Sequence, residues 1–428
     1  MDIVVIGGGI VGLSTAWYLQ QDGHRVTLVD RADGLGMGAS HANGGQLSYR
    51  YVAPLADPEV LAKIPGWMLR RDAPVRFRPR FDPQQWGWLM RFLESCNRYD
   101  KVRSIASLLP LALHSRALMH AWVDRQGFDF DFVPNGKLVV HRDAGSFASA
   151  KRALASTPAL GAVQQALDAD ACFAIEPAIE RLRGRIHGGI HTPTEDAGDC
   201  LKLCRALSEH MARTANPVQF ELGRTVLGFQ RAGGRIAGVL TDGGSIDCDA
   251  CVLAAGTAAA ALVRPLGVRL PIYPVKGYSI TVPVGAGVRV PAISVTDFQR
   301  KIVYARLGKH LRVAGMADIV GHDDRVARDR IATLLAETRA CFGDGFDPRA
   351  ATSWSGLRPA TPTGRPIIDR AGADNLWLNV GHGALGFTLA AGSAQVLADL
   401  IAGRAPACPV EDFRLDRARP RSGVFPRR

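Results

Sequence analysis

The sequence predicts an α/β fold in two domains, and three observations carry that expectation. The first thirty residues run strand, tight turn, helix, strand. A second strand-rich stretch, from Pro271 to Met316, stands apart from the strands that continue the first unit. The length of 428 residues, 47% of them hydrophobic, exceeds the ~250–300 residues at which a single core stops growing.

Ile3, Val4, Val5 and Ile6 form a short β-branched run, after which Leu13, Ala16, Trp17 and Leu19 recur at helical spacing. Arg25 to Asp30, entered through Gly23, makes the second strand, so the pair is parallel. Pro and Arg are dense from Pro54 to Pro83, and a helical pattern then runs from Trp86 to about Val123, expected as an insertion away from the first sheet. A helix over Leu201–Ala212 precedes strands at Val218–Leu222, Val226–Gln230, Ile236–Thr241 and Ile246–Leu253. Asp242-Gly243-Gly244 supplies a hairpin turn in that series. Alternation at Lys301–Tyr304 and Leu311–Val313 marks the second sheet. The strand Leu376–Val380, a glycine-rich turn and a helix from about Phe387 to Ile401 return to the first. These assignments give residues 1–52, 196–262 and 346–428 to a nucleotide domain, and 53–195 and 263–345 to a substrate domain.

No stretch reaches the roughly 18 consecutive apolar residues of a membrane span, and a strand begins at Asp2 where a secretory signal would stand. The expected compartment is the cytoplasm. Eight cysteines in a chain this long read as reduced core thiols, and Cys200/Cys204 and Cys248/Cys251 lack the second half of a zinc site, so no metal is expected. The net charge of +12 includes a basic segment of Arg70, Arg71, Arg76, Arg78 and Arg80 interleaved with Trp67, Phe77 and Phe81. It suits peripheral contact with an anionic membrane face, or an ordinary solvated surface. No nucleic-acid-binding module accompanies the charge.

Gly7, Gly9 and Gly12 form G-x-G-x-x-G between a strand and a helix. The first permits the tight turn, the second lets a pyrophosphate approach the backbone, and the third lets helix pack on strand. The helix start, at Ile10 and Val11, then offers free N–H groups to phosphate. Asp30, followed by Arg31, ends the second strand where a carboxylate accepts from a ribose hydroxyl. These residues leave FAD and NAD both open.

Further along, Ser40-His41-Ala42-Asn43-Gly44-Gly45-Gln46-Leu47-Ser48 resembles the flavin-contacting loop of the D-amino-acid dehydrogenases, within the broader D-amino-acid oxidase superfamily. Tyr273–Ser279, Arg312–Asp318, Gly356-Leu357-Arg358-Pro359 with Thr361-Pro362, and Leu378–Phe387 are similar to that family's segments in the family's order. The resemblance implies a Rossmann-like FAD-binding domain and an α+β substrate domain on a mostly antiparallel sheet. It implies FAD as cofactor, and Arg358 as the side chain that grips the substrate carboxylate with a planar fork.

Within these segments, Gly44 and Gly45 leave room for a flat ring, and Gln46 and Ser48 offer hydrogen bonds to its edge. Val226 sits where a strand meets adenine, and Ala255 and Gly256 end another strand at the crevice; both also read as plain core and turn residues. Gly383, Ala384, Leu385, Gly386, Phe387 and Thr388 run from turn into helix, with N–H groups toward the flavin pyrimidine and His382 beside them. Tyr49, Tyr51 and Tyr304 depart from the family's pattern and are candidate pocket walls, favouring D-proline or D-hydroxyproline.

The implied reaction is hydride transfer from Cα–H to flavin N5 of a small D-amino or D-imino acid, giving a 2-oxo acid and ammonia or a cyclic imine. Electrons would pass to a quinone or respiratory acceptor at the inner face of the cell membrane. A glycine or sarcosine oxidase, a flavoprotein subunit of an opine or amine dehydrogenase, and a non-catalytic nucleotide-binding protein are the alternatives. Homo- and hetero-oligomers both stay open.

Overall fold

The computed structural model describes residues 1–70, 73–156, 163–285 and 287–415. Its first sheet has six strands in the order 367–370, 376–380, 250–253, 2–6, 25–30, 219–222. All neighbours are parallel except 367–370 against 376–380. The central parallel strands, 2–6, 250–253 and 376–380, are buried because helices cover them, among them Ile10–Gln21 and Gly386–Ile401, which pack on each other.

Gly386–Ile401 is central. With the turn before it, Gly383–Ile401 is the one described helix long and apolar enough to cross a membrane, but 67% of its apolar window is buried inside the fold. It is a core helix, clasped between Ile10–Gln21 and a long helix at Arg98–Gln126.

That long helix corrects two expectations. The pattern from Trp86 to Val123 is two helices, Pro83–Ser95 and Arg98–Gln126, because Asn97 adopts an extended backbone and its side chain caps the second by accepting from Asp100 N–H. Nor does the second helix stand away from the first sheet: it buries Leu111, Met119 and Trp122 in the same core as Leu13 and Trp17. Trp17 and Trp122 meet edge to face at 5.9 Å.

The series from 218 to 253 also divides. Only 219–222 and 250–253 join the parallel sheet; 226–232, 235–241 and 244–247 form a separate three-stranded antiparallel sheet turning at the expected Asp242-Gly243-Gly244.

The second sheet has nine strands, with the path 352–360, 273–283, 310–319, 302–307, 294–297, 137–141, 188–192, 165–167, and 75–77 added beside 310–319. It is antiparallel apart from two parallel pairs, 294–297 with 137–141 and 75–77 with 310–319. Strand Thr352–Ala360 pairs along its length with Tyr273–Pro283, so the chain leaves this sheet after Ala360 and not at the expected boundary of 346.

Candidate functional site

The two sheets enclose a cavity of about 790 Å³, reached by the glycine loop, the Ser40–Ser48 segment, the Gly381–Phe387 turn and one face of the second sheet. At the glycine loop the main chain is the wall. A Cβ on Gly12 would lie 1.8 Å from the Gly7 carbonyl oxygen, and Gly7 itself has a φ of +116°, so neither position tolerates another residue. Gly9, Ile10, Val11 and Arg31 line the cavity; Gly12 does not, because it serves the helix–strand contact. Asp30 accepts from Gly8 N–H (2.6 Å) and Ala32 N–H (2.8 Å), which ties the acid to the loop and leaves each carboxylate oxygen a further lone pair for a ribose. Val226, Ala255 and Gly256 line the same end.

The Ser40–Ser48 segment is pinned from several sides. Ser40 Oγ accepts from Ile10 N–H, Asn43 Oδ1 from Gly45 N–H, and the buried Arg312 donates to the Asn43 carbonyl at 2.7 Å. Gly44 and Gly45 line the cavity, but their need for glycine has a second cause: a Cβ would meet Val303 at 2.8 Å and Leu307 at 2.9 Å, so the segment seats directly on the second sheet. Gln46 also faces the cavity, while its amide is spent on that sheet, donating to the Val295 carbonyl and accepting from Thr296. Leu47 points away, into the first core, and Thr388 likewise stays off the cavity wall, accepting from Ser48 N–H.

The turn at Gly381–Leu385 leads into the core helix, and Gly383, Ala384, Leu385, Gly386 and Phe387 all reach the cavity. His382 lines it too, yet its Nε2 is paired with Ser393 Oγ at 3.0 Å. Burial drives its pKa down to about 3, so the ring is neutral.

Arg358 enters from the edge of the second sheet over a floor of glycine. Gly277 and Gly356 face each other across the strand pair; a Cβ on Gly277 would lie 2.3 Å from Arg358 Nη2, and one on Gly356 1.9 Å from the Trp354 indole. Guanidinium and indole therefore lie flat on main chain. Arg358 Nη1 donates to the Met316 carbonyl at 2.8 Å, and Met316 takes a φ of +66° beside a bulge in the ladder to present it. The remaining N–H groups have no protein acceptor among the described residues. Burial works against the charge, and Asp318 supports it. Asp318 also accepts from Tyr278, another cavity residue, and from the buried Arg330.

Of the three candidate tyrosines only Tyr51 reaches the cavity. Tyr49 is fully buried in the first core, with its N–H on Glu195. Tyr304 faces the opposite side of the second sheet, edge to face with Phe342 and in contact with Cys341 Sγ. Sequence reasoning missed Lys137, Trp354, Met316 and Gly277. Met316 and Gly277 lie inside quoted motifs, whereas a lysine opening an apolar strand carries no signal of its own.

Residues 2–400 match the model of a family described as FAD dependent oxidoreductase. The chain belongs to that family. It is 50% identical over 427 residues to "D-amino acid dehydrogenase 2" of Ralstonia nicotianae, covering 97% of this chain and all of that one. It is 49% identical to the protein of the same name from Pseudomonas aeruginosa, covering 94% and 95%. Among solved structures, the glycine oxidase from Geobacillus kaustophilus superposes with a TM-score of 0.77 at 23% identity, covering 97% and 98%. The L-proline dehydrogenase from P. horikoshii superposes with a TM-score of 0.72 at 18% identity, covering 97% and 96%. These two share the fold. The cavity fits the family's cofactor: the glycine loop has no room for side chains, and the turn at Gly381–Leu385 faces its other end.

Proposed function

We propose that this oxidoreductase dehydrogenates D-amino acids. The observation that carries the reading is Arg358, a guanidinium laid over Gly277 with unspent donors facing the cavity. Relatives 40–50% identical over nearly the whole chain bear the name D-amino acid dehydrogenase, which supports it.

FAD, when bound, supplies a two-electron acceptor at its ring. The chain's own residues do the positioning. Arg358 holds the α-carboxylate through a charge-assisted fork, which fixes the direction of the Cα–H. Met316 and Gly277 hold the fork. The main chain at the start of the Gly383–Leu385 turn would offset negative charge at that end, while the Leu385 N–H is spent on the His382 carbonyl and neutral His382 adds no charge.

The test is anaerobic bleaching of the near-450 nm flavin band by matched enantiomers of alanine and proline. Bleaching by the D-forms is expected; bleaching only by glycine, sarcosine or L-forms would overturn the substrate assignment.

We propose also that electrons leave to a membrane quinone. Support comes from a patch at the start of helix Pro83–Ser95, where Phe81 is wholly exposed and Trp86 and Met90 are about half exposed, beside Arg78 and Arg80. Arg76 is less available, being paired with Asp329. Arg71 and the Trp67 side chain lie outside the described residues. Salt-sensitive co-sedimentation with anionic vesicles, weakened in F81S/W86S, is the expected result; salt-independent behaviour would count against it.

A further inference from the structure

Lys137 is a buried lysine that the reaction above does not use. It opens strand Lys137–His141, is 3% exposed, and lines the cavity. Its ammonium donates to Ser48 Oγ at 2.7 Å and sits 4.4 Å from the centre of the Tyr51 ring. An ammonium has three donors, and among the described residues only one of them has an acceptor. Among the described residues no carboxylate forms an ion pair with it. A buried cation with unspent donors is costly unless something in the cavity receives them.

Sheet order says which part of a substrate that is. Strands 273–283, 310–319, 302–307 and 294–297 separate Arg358 from Lys137, roughly 24 Å along an open sheet. Twist and the reach of two long side chains shorten the gap. The α-amine shares its carbon with the carboxylate that Arg358 holds, so it stays at the Arg358 flank. What approaches Lys137 is the far end of the molecule. Resting on the reading of Arg358 as carboxylate anchor, we propose that Lys137 is a specificity residue that donates to an oxygen acceptor on the substrate side chain, a carboxylate or a hydroxyl.

The charged groups around Lys137 agree with a cation whose own neighbours do not satisfy it. Glu195 is the carboxylate that acts on it, but both oxygens of Glu195 already accept from Tyr49 and Arg50 N–H, and Asp196 and its partner His120 lie beyond. Lys301, the other cavity lysine, lies over the Phe298 ring. On the adjoining strands, Ser294 and Thr192 are uncharged, and His191 is held neutral-leaning by burial. Burial draws the Lys137 pKa down to about 8, so the ammonium is present at neutral pH and lost just above it.

The experiment compares kcat/KM for oxygen-bearing substrates with hydrocarbon counterparts, D-glutamate against D-norvaline and hydroxylated D-proline against D-proline, in wild type, K137M, K137Q and K137R. In wild type at least one ratio favours the oxygen-bearing acid, and K137M lowers it about 10- to 100-fold. The glutamate arm reads a carboxylate and the hydroxyproline arm a hydroxyl. For a carboxylate, the wild-type preference also fades as pH rises through about 8, and K137M shows no such fade. If both ratios hold within about threefold in K137M and K137Q while D-alanine still bleaches the flavin, this inference falls and the broader reading stands. If no D-amino acid bleaches the flavin, the broader reading falls first. K137Q and K137R keep the ratio measurable should K137M fail to fold.

Discussion

At the glycine-loop end of the cavity, Gly7, Gly9 and Gly12 are near neighbours in sequence and the main chain itself shapes the wall, whereas at the second-sheet end Gly277, Met316 and Arg358 come from three different strands. The first end owes its geometry to one turn and one helix start. The second exists only when strands 273–283, 310–319 and 352–360 are in register, because a slip of one residue would turn Arg358 to the other face. Damage at the first end should therefore remove the cofactor, and damage at the second should spare the cofactor and remove the substrate.

The sharpest way to break this contrast is a set of three substitutions, one at the first end and two at the second. G12A places a Cβ 1.8 Å from the Gly7 oxygen; overpacking of this kind costs about 1–3 kcal/mol, and the protein is expected to purify with little flavin. R358M should keep its flavin, judged by the ratio of 450 to 280 nm absorbance. Its kcat/KM for D-alanine should fall roughly 10²- to 10³-fold through loss of the charge-assisted fork. G277A pushes on the guanidinium without removing it, and a KM rise of about tenfold to a hundredfold with normal flavin content is expected.

A smaller effect concerns pH. Burial raises the Glu195 carboxyl to about 7, above the ordinary glutamate value. A raised folded-state pKa means that the folded protein holds the proton more tightly, so this contribution to stability is full below about pH 4 and is lost as pH rises through 7. Lys137, lowered to about 8, has the opposite sign: its contribution is full above about pH 10 and is lost as pH falls through 8. Urea midpoints should decline from pH 5 to 7 in wild type, and E195Q should flatten that slope. The smallest effect is expected for Y304F, which lies on the far side of the second sheet. Its kcat/KM should stay within about twofold and its stability within about 1 kcal/mol; a larger kinetic loss would place Tyr304 in the substrate's path after all.

Tyr304 shows why part of the site was illegible in the sequence. In strand Ile302–Leu307 alternate side chains face opposite ways, and it is Val303 that lines the cavity while Tyr304 packs with Phe342. Which parity faces inward depends on pairing with 294–297 and 310–319, not on the strand's own residues. Lys137 is the converse case. A lysine at a strand start ordinarily marks a solvent edge, but 137–141 lies between 188–192 and 294–297, and Ser48 closes over its end. The helix at Arg98–Gln126 was legible as a helix, while its docking on Gly386–Ile401 was not.

By itself the sequence determined the βαβ start, the glycine loop with its acid at Asp30, the strand and core helix near the C-terminus, and, through resemblance, the family; it also pointed to Arg358, which the structure places at the cavity. These depend on contacts between residues close in the chain, or on motifs that survive as local strings. Tertiary structure alone decided that Gly44 and Gly45 seat on Val303 and Leu307, that only one of three tyrosines sees the cavity, and that Lys137 and Arg358 line one cavity from well-separated strands of one sheet. Each of those depends on the order and register of strands far apart in sequence, and no short window of residues encodes a pairing it does not contain.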